Sequence, residues 1–460
     1  MPPFSSSLAA LLAGALARAY TYDSEYKAGA PSRGTIPEQV QVIDQKAFNV
    51  LPYVPPLTES NATTFFVPPG LDAAALRDRP FHVYDDEFFD VIGSNPTLTL
   101  IARTDSDPLF HEAVVWYPPT DEVFFVQNAG PPAAGTGLNK SSIILKIDLS
   151  EAAAVSDRRN ATGAVSVHIV DSNPLVVNPN GGTNYRGQLL FAAEGQGPDV
   201  ASDLIIMNPR EPYNTTVLLN NYFGRQFSSL NDVAVNPRND DVYFTDTLYG
   251  ESCLCALPFP PPRPVEKDSE SSNDSVHPEE DSHHLYLTVC LRWYLQDFRP
   301  PPGMRNQVYR LDDKTGAVTA VADGFHLPNG ITFSPDGKHA YITDTGVSQG
   351  FWGFNQSYPA SIYRFDVQDD GTWENRKLFA YVHSRAPDGI HCDSNGNVYS
   401  GCGDGVHVWN PSGKLIGKIY LGEKSANFNF AGDGRMVICA ETNLYYATLA
   451  ASGGGYIMEV

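Results

Sequence analysis

The architecture this sequence predicts is all-β, a six-bladed β-propeller with an N-terminal arm. One strand–turn–strand grammar recurs six times along the chain, as stacked or radial repeats require. Each copy is a single hairpin that needs outer strands to become a four-stranded sheet. The length also fits, since six blades of roughly 45 residues use most of the 460 residues. An open sandwich of hairpins is the alternative, and it gives no reason to repeat one turn grammar.

The clearest copy is His326–Thr345, HLPNGITFSPDGKHAYITDT. Ile331 and Phe333 alternate as a short strand. Ser334-Pro335-Asp336-Gly337 reads as a tight turn, proline presetting φ and glycine supplying the positive φ of a hairpin. His339–Thr345 is a second alternating strand ending in Asp-Thr. Asn231–Thr247, Glu112–Asn128, Asp388–Cys402 and Asn427–Glu441 follow the same plan, and Val176–Glu194 is a looser copy.

Around these repeats the chain divides into residues 1–19, 20–107 and 108–460. The first stretch carries an apolar run, Leu8–Leu16, followed by Ala-x-Ala, the pattern of a secretory signal without its basic start. Sequons at Asn61, Asn139, Asn160, Asn214, Asn273 and Asn355 agree with a secreted glycoprotein; the alternative location is cytoplasmic. Tyr20–Pro80 lacks the repeat grammar and reads as an arm anchored by Phe65, Phe66 and Val67. The first propeller strands precede residue 108, which opens the propeller proper.

Residues 251–292 break the pattern, running from proline-rich to acidic to apolar. Two readings stand: a disordered insertion, or a retained intron whose removal joins Gly250 to Trp293 without disturbing the strand exit. Sequencing the transcript across this junction separates them, and finding only the long form would eliminate the intron.

A net charge of −22 and a pI near 4.8 exclude a nucleic-acid partner and an anionic membrane surface, because neither phosphates nor headgroups would be neutralised. A small-molecule partner and a monomer are the expectation. The cysteines form no metal pattern: Cys253 and Cys255 are too close for a zinc knuckle and Cys290 has no partner at motif distance. Cys392, Cys402 and Cys439 sit inside strands, as small buried hydrophobes do.

Loops entering the innermost strands of a propeller line its axis, so matching positions of different repeats are spatial neighbours. Those positions hold Glu112, Asn231, Asn329, Asp388 and Asn427. A ring of carboxylate and amide oxygens suits Ca²⁺, with Mg²⁺ or Mn²⁺ as alternatives; zinc would bring His or Cys. Each Asn taken singly is a common turn residue. Their recurrence at one repeat position is what points to a site.

Leu327-Pro328-Asn329-Gly330 with Ser334-Pro335-Asp336-Gly337, Leu230-Asn231-Asp232, and Ala386-Pro387-Asp388-Gly389 resemble, in order, the motifs of the senescence-marker-protein, gluconolactonase and luciferin-regenerating-enzyme family. The similarity runs from Pro108 to Leu449 outside residues 251–292. It implies a six-bladed propeller holding one divalent metal, usually calcium, and a lactonase-type hydrolase. By motif, Glu112, Asn329 and Asp388 match the metal ligands, and Asn231 matches the residue that touches metal or substrate.

Asp388 is also the implied general base, although a cation lowers the basicity of a carboxylate that binds it. His111 and His326 are therefore candidate substrate-binding residues. Alternation along a strand would put His111 on the face opposite Glu112 unless the entry loop bends. Sugar-lactone members carry an Arg two residues before the Asn matched by Asn231; this chain has Ser229. With Phe227 and Leu230 nearby, the expected pocket is apolar and the expected substrate a hydrophobic or non-sugar lactone or ester. A metal-bearing propeller that binds a ligand without turnover is the alternative.

Overall fold

Each of the six hairpins is the innermost pair of strands of one sheet in the computed structural model. The structure describes residues 36–454 except 52, 53, 55–66, 69, 70, 132, 133, 158–164, 249–297, 300–302, 350–352 and 433. The secretory-signal reading of residues 1–19, the anchors Phe65 and Phe66, the residues 251–292 and Cys253, Cys255 and Cys290 lie outside the described residues.

The first blade pairs Glu112–Tyr117, Glu122–Val126, Ile144–Asp148 and His168–Val170, in that order from the axis outward. The second comprises Pro179–Tyr185, Gln188–Ala193, Asp203–Met207 and Thr215–Leu219, and the third Leu230–Val235, Val242–Asp246, Gln307–Leu311 and Val318–Ala322. The fourth runs Pro328–Phe333, His339–Asp344, Ser361–Val367 and Trp373–Tyr381. The fifth is Ile390–Cys392, Val398–Cys402, Gly405–Trp409 and Leu415–Tyr420. In the third blade Val242–Asp246 and Gln307–Leu311 pair directly, with Val242 opposite Leu311 and Asp246 opposite Gln307.

The sixth blade takes Asn427–Phe430, Arg435–Ala440 and Asn443–Thr448 from the end of the chain and Thr97–Arg103 from near its beginning. Thr97 lies opposite Thr448 and Arg103 opposite Asn443. Hydrogen bonds between the two ends of the chain within one blade thus close the ring. The arm has a second use. Phe81–Val83 adds antiparallel to Leu415–Tyr420, and Val40–Val42 adds parallel to Phe81–Val83, which covers the outer edge of the fifth blade.

Sheets stacked around an axis must be apolar on both faces, and the sequence supplies this. Every residue of Val242–Asp246 and of Val398–Cys402 is buried. Six apolar clusters follow, one between each pair of neighbouring blades. Each fully buried Phe, Val, Leu or Ile in them contributes about 1.5–3 kcal/mol relative to exposure. Cys392, Cys402 and Cys439 are free thiols within these clusters. Gly337 adopts φ +65 in the Ser-Pro-Asp-Gly turn, the conformation that turn requires.

Candidate active site

The strands that enter the axis do not alternate strictly. The pairing register shifts between Glu112 and Val115, between Pro179 and Gly182, between Leu230 and Val233, and between Pro328 and Ile331. Such a bulge re-aims side chains that a regular strand would bury. In the first blade Ala113 takes φ +49, and His111 and Glu112 both line the axial cavity. The alternation argument against His111 therefore fails at the bulge.

Glycine follows three of the axial residues for a steric reason. A Cβ on Gly181 would lie 2.5 Å from the Asn231 carbonyl oxygen, one on Gly330 2.5 Å from the Asp388 carbonyl oxygen, and one on Gly389 2.6 Å from the Asn427 amide carbon. Neighbouring inner strands pass so closely that no side chain fits between them. The Asn-Gly and Asp-Gly pairs thus encode contact between blades as well as turns.

The Asp-Thr endings fix the loops that deliver these residues. Asp344 accepts the His326 and Leu327 amides, each at 2.9 Å, and Asp246 accepts those of Ser228 and Ser229 at 3.2 and 2.9 Å. A buried carboxylate is tolerated where several N–H groups converge on it.

The resulting cavity, of about 160 Å³, is lined by Glu112, Asn231, Asn329 and Asp388 together with His111, Asn180, Glu194, Ser348, Phe354, Arg385 and Lys424, among others. A larger cavity of about 330 Å³ lies further along the same inner strands, lined by residues such as Trp116, Val235, Phe333 and Phe430. Its size does not make it the reactive centre, because the oxygen donors and charged groups converge in the smaller one.

Electrostatics organise that convergence. Lys424 Nζ lies 3.1 Å from both Asp388 Oδ2 and Glu441 Oε1. Glu441 also meets His111 Nδ1 at 3.1 Å and accepts from the Asn128 amide at 3.1 Å. Burial alone would raise the Glu441 carboxyl, but His111 and Lys424 hold it well below the usual carboxylate range. Burial likewise opposes the charge of Lys424, and Asp388 and Glu441 overcome it and raise its pKa.

Glu112 is pushed the other way, well up, by burial and then by the nearby charges of Asp388 and Asp232. It accepts a hydrogen bond from the Asn427 amide. Burial raises Glu194 to about 8. The buried Asn231 Oδ1 has no hydrogen-bond partner.

These residues fit a hard divalent cation. An orphaned amide oxygen and a desolvated carboxylate share one cavity with further Asn and Asp oxygens, and no nitrogen or sulfur donor set competes. Among the described residues no group of three or more His, Cys, Asp or Glu is arranged to hold a metal; a set built from two acids and several amides falls outside that pattern.

Of the residues expected from sequence, Glu112, Asn231, Asn329, Asp388 and His111 meet in the cavity. Asn427 sits behind Glu112. His326 is not among the lining residues; its ring stacks on Tyr358 with centroids 4.1 Å apart. The expected apolar wall is also absent. Phe227 and Leu230 are fully buried in the cluster between the second and third blades, where Phe227 packs edge-on against Phe244 and Tyr309. The lining is largely polar and charged, with Phe354 its aromatic member.

Lys424, Glu441, Arg385, Glu194 and Asn180 were not anticipated. Asn180 had a signal, because Pro179-Asn180-Gly181 repeats Pro328-Asn329-Gly330 within the looser copy. Glu441 closes its repeat unit but reaches the site only through the fold.

The comparisons with known proteins agree with this architecture. A family model described as the SMP-30/Gluconolactonase/LRE-like region matches residues 294–442. The chain is 25% identical over 371 residues to lactonohydrolase oryH of Aspergillus oryzae, covering 75% of this chain and 74% of that protein. It is 26% identical over 363 residues to lactonohydrolase oryL of the same organism, covering 74% and 67%. A solved gluconolactonase of Xanthomonas campestris superposes with a TM-score of 0.55 at 19% identity, over 80% of this chain and 94% of that one. That last likeness shows the fold. No described helix is long and apolar enough to cross a membrane.

Proposed function

From a chain that carries an SMP-30/gluconolactonase/LRE-like region on a six-bladed propeller, we infer a lactone hydrolase that works with one divalent cation, calcium being the best match. The observation that carries the cation is the partnerless Asn231 oxygen beside the desolvated Glu112 carboxyl. The holders would be Glu112, Asn231, Asn329 and Asp388. A cation bound there supplies Lewis acidity toward a lactone carbonyl.

The chain's own groups account for the rest of the reaction. Asp388 is the general base that takes the proton of the attacking water, and Lys424 holds its Oδ2 in a fixed direction through the ion pair at 3.1 Å. His111, held through Nδ1 by Glu441, is the second candidate for proton transfer and substrate contact. Asn231 touches cation or substrate. His326, stacked on Tyr358 and 3.3 Å from the Gln349 amide nitrogen, does not line the cavity and has no step in this reaction. Ring opening adds water across the acyl–oxygen bond, giving a carboxylate and an alcohol.

The test is lactone hydrolysis by the full chain before and after EDTA, with calcium restored. Activity lost on chelation and recovered with calcium supports the reading. Bound calcium without turnover on sugar, aliphatic, aryl or carboxylated lactones would leave a cation-bearing propeller that binds its ligand unchanged.

A further inference from the structure

Among the described residues that line the cavity, Arg385 is a cation that the arrangement above does not use. Lys424 spends its charge on Asp388 and Glu441. Arg385 has no hydrogen bond or ion pair among the described residues; its recorded contact is with Phe354, whose ring centroid lies 5.4 Å from the guanidinium carbon. Five N–H donors in a planar fork therefore face a partly enclosed cavity unspent.

The side chain is held there deliberately by its surroundings. Arg385 adopts φ +57, a left-handed conformation uncommon for a residue with a long side chain. Its stem lies against Gly403, where an added Cβ would come within 2.6 Å of the Arg385 Cγ. Gly403 in turn donates its amide to the Ser384 carbonyl at 3.0 Å. A bare backbone on one side and the Phe354 ring near the other direct the fork. Burial works against its charge and the Glu441 carboxylate offsets this only in part, so an anion arriving beside it would relieve the remainder.

We propose that Arg385 is the specificity-determining residue of this site, and that the substrate is a lactone carrying a carboxylate substituent, gripped by the Arg385 fork while its acyl carbon lies at the Glu112–Asn231–Asn329–Asp388 ring. This rests on the lactonase reading for the reaction but not for the binding. A guanidinium matches a carboxylate through two parallel N–H···O bonds, and the Phe354 face accommodates a flat ring beside it. The cavity thus suits a ligand with an anionic end at Arg385 and a carbonyl end at the oxygen ring.

The experiment compares 5-oxotetrahydrofuran-3-carboxylate with its neutral methyl ester, using the full chain with calcium. Hydrolysis of the ring and binding by calorimetry are both measured, for wild type, Arg385→Gln and Arg385→Lys. Circular dichroism and thermal unfolding verify that each variant is folded. In Arg385→Gln the acid-to-ester ratio of kcat/KM falls roughly 10- to 100-fold, as expected for loss of a charge-assisted pair, chiefly through KM; Arg385→Lys recovers part of it. An unchanged ratio in Arg385→Gln overturns the assignment. If neither lactone is hydrolysed, the lactonase reading fails for these rings and calorimetry decides the inference alone. Binding of the acid that weakens in Arg385→Gln upholds the anion site, and absent or unaltered binding removes it.

Discussion

The hydroxyl of Thr343, in the fourth blade, donates at 2.9 Å to the main-chain carbonyl of Asp388 at the entrance to the fifth. It also accepts the Gly330 amide of its own blade at 2.7 Å. Thr245 repeats the arrangement one blade earlier, accepting the Asp232 amide at 3.0 Å and donating to the Asn329 carbonyl at 2.7 Å. Both threonines are fully buried. Two of the four proposed cation holders are thus suspended by their backbone from the preceding blade, and the spacing of the ring depends on how the blades stack.

Thr245→Val, nearly isosteric, removes both bonds and leaves a buried N–H and C=O without this partner. The expected cost is roughly 1–3 kcal/mol by urea unfolding, with Thr245→Ser retaining most of the stability. A valine variant as stable as wild type would show that the hydroxyl contributes nothing.

Glu112→Gln keeps the shape of the side chain and its amide partner Asn427 while removing a charge from the ring. Calcium affinity by calorimetry should fall by more than the roughly 10–100-fold typical of losing an outer partner of a metal ligand. Unchanged affinity would contradict the proposed ring.

Asp388→Asn should abolish lactone hydrolysis, with thermal unfolding near that of wild type because the Thr343 bond is to the main chain. Full activity in this variant would remove Asp388 from the mechanism and direct attention to His111.

His82 offers a pH test away from the site. It is fully buried, with Nε2 3.0 Å from the Leu76 carbonyl and Nδ1 without a partner. Burial pushes its pKa from 6.5 down to about 4, with Lys418 and His407 opposing its charge and the Leu76 carbonyl and Asp404 favouring it. The unfolded chain therefore binds the proton more readily, so the stabilisation is complete above pH 6.5 and is lost as the pH falls through 4. Relative to His82→Gln, wild type should lose about 3 kcal/mol across this window in urea titrations. A difference independent of pH would exclude the linkage.

Much of the fold was legible because its determinants are local. Alternating Ile331 and Phe333, a Pro-Asp-Gly turn and a second alternating strand specify a hairpin by φ preferences and side-chain period alone. Repetition of that hairpin specified the propeller, and matched repeat positions brought Glu112, Asn231, Asn329 and Asp388 to one axis. Strict alternation would turn His111 away from Glu112, but the bulge at Glu112 breaks that period and both line the cavity.

Where distant parts of the ring meet depends on the assembled fold. Thr97–Arg103 closes the sixth blade, Lys424 and Glu441 reach Asp388 and His111, Phe227 turns into a core between blades, and Arg385 enters the cavity from the fifth. None of these has a local signature, since each depends on the stagger of neighbouring sheets and on side-chain contacts made across tens to hundreds of residues. The repeating hairpins and the oxygen donors at their entrances follow from local residue order; the packing of blade on blade sets which charges stand around them.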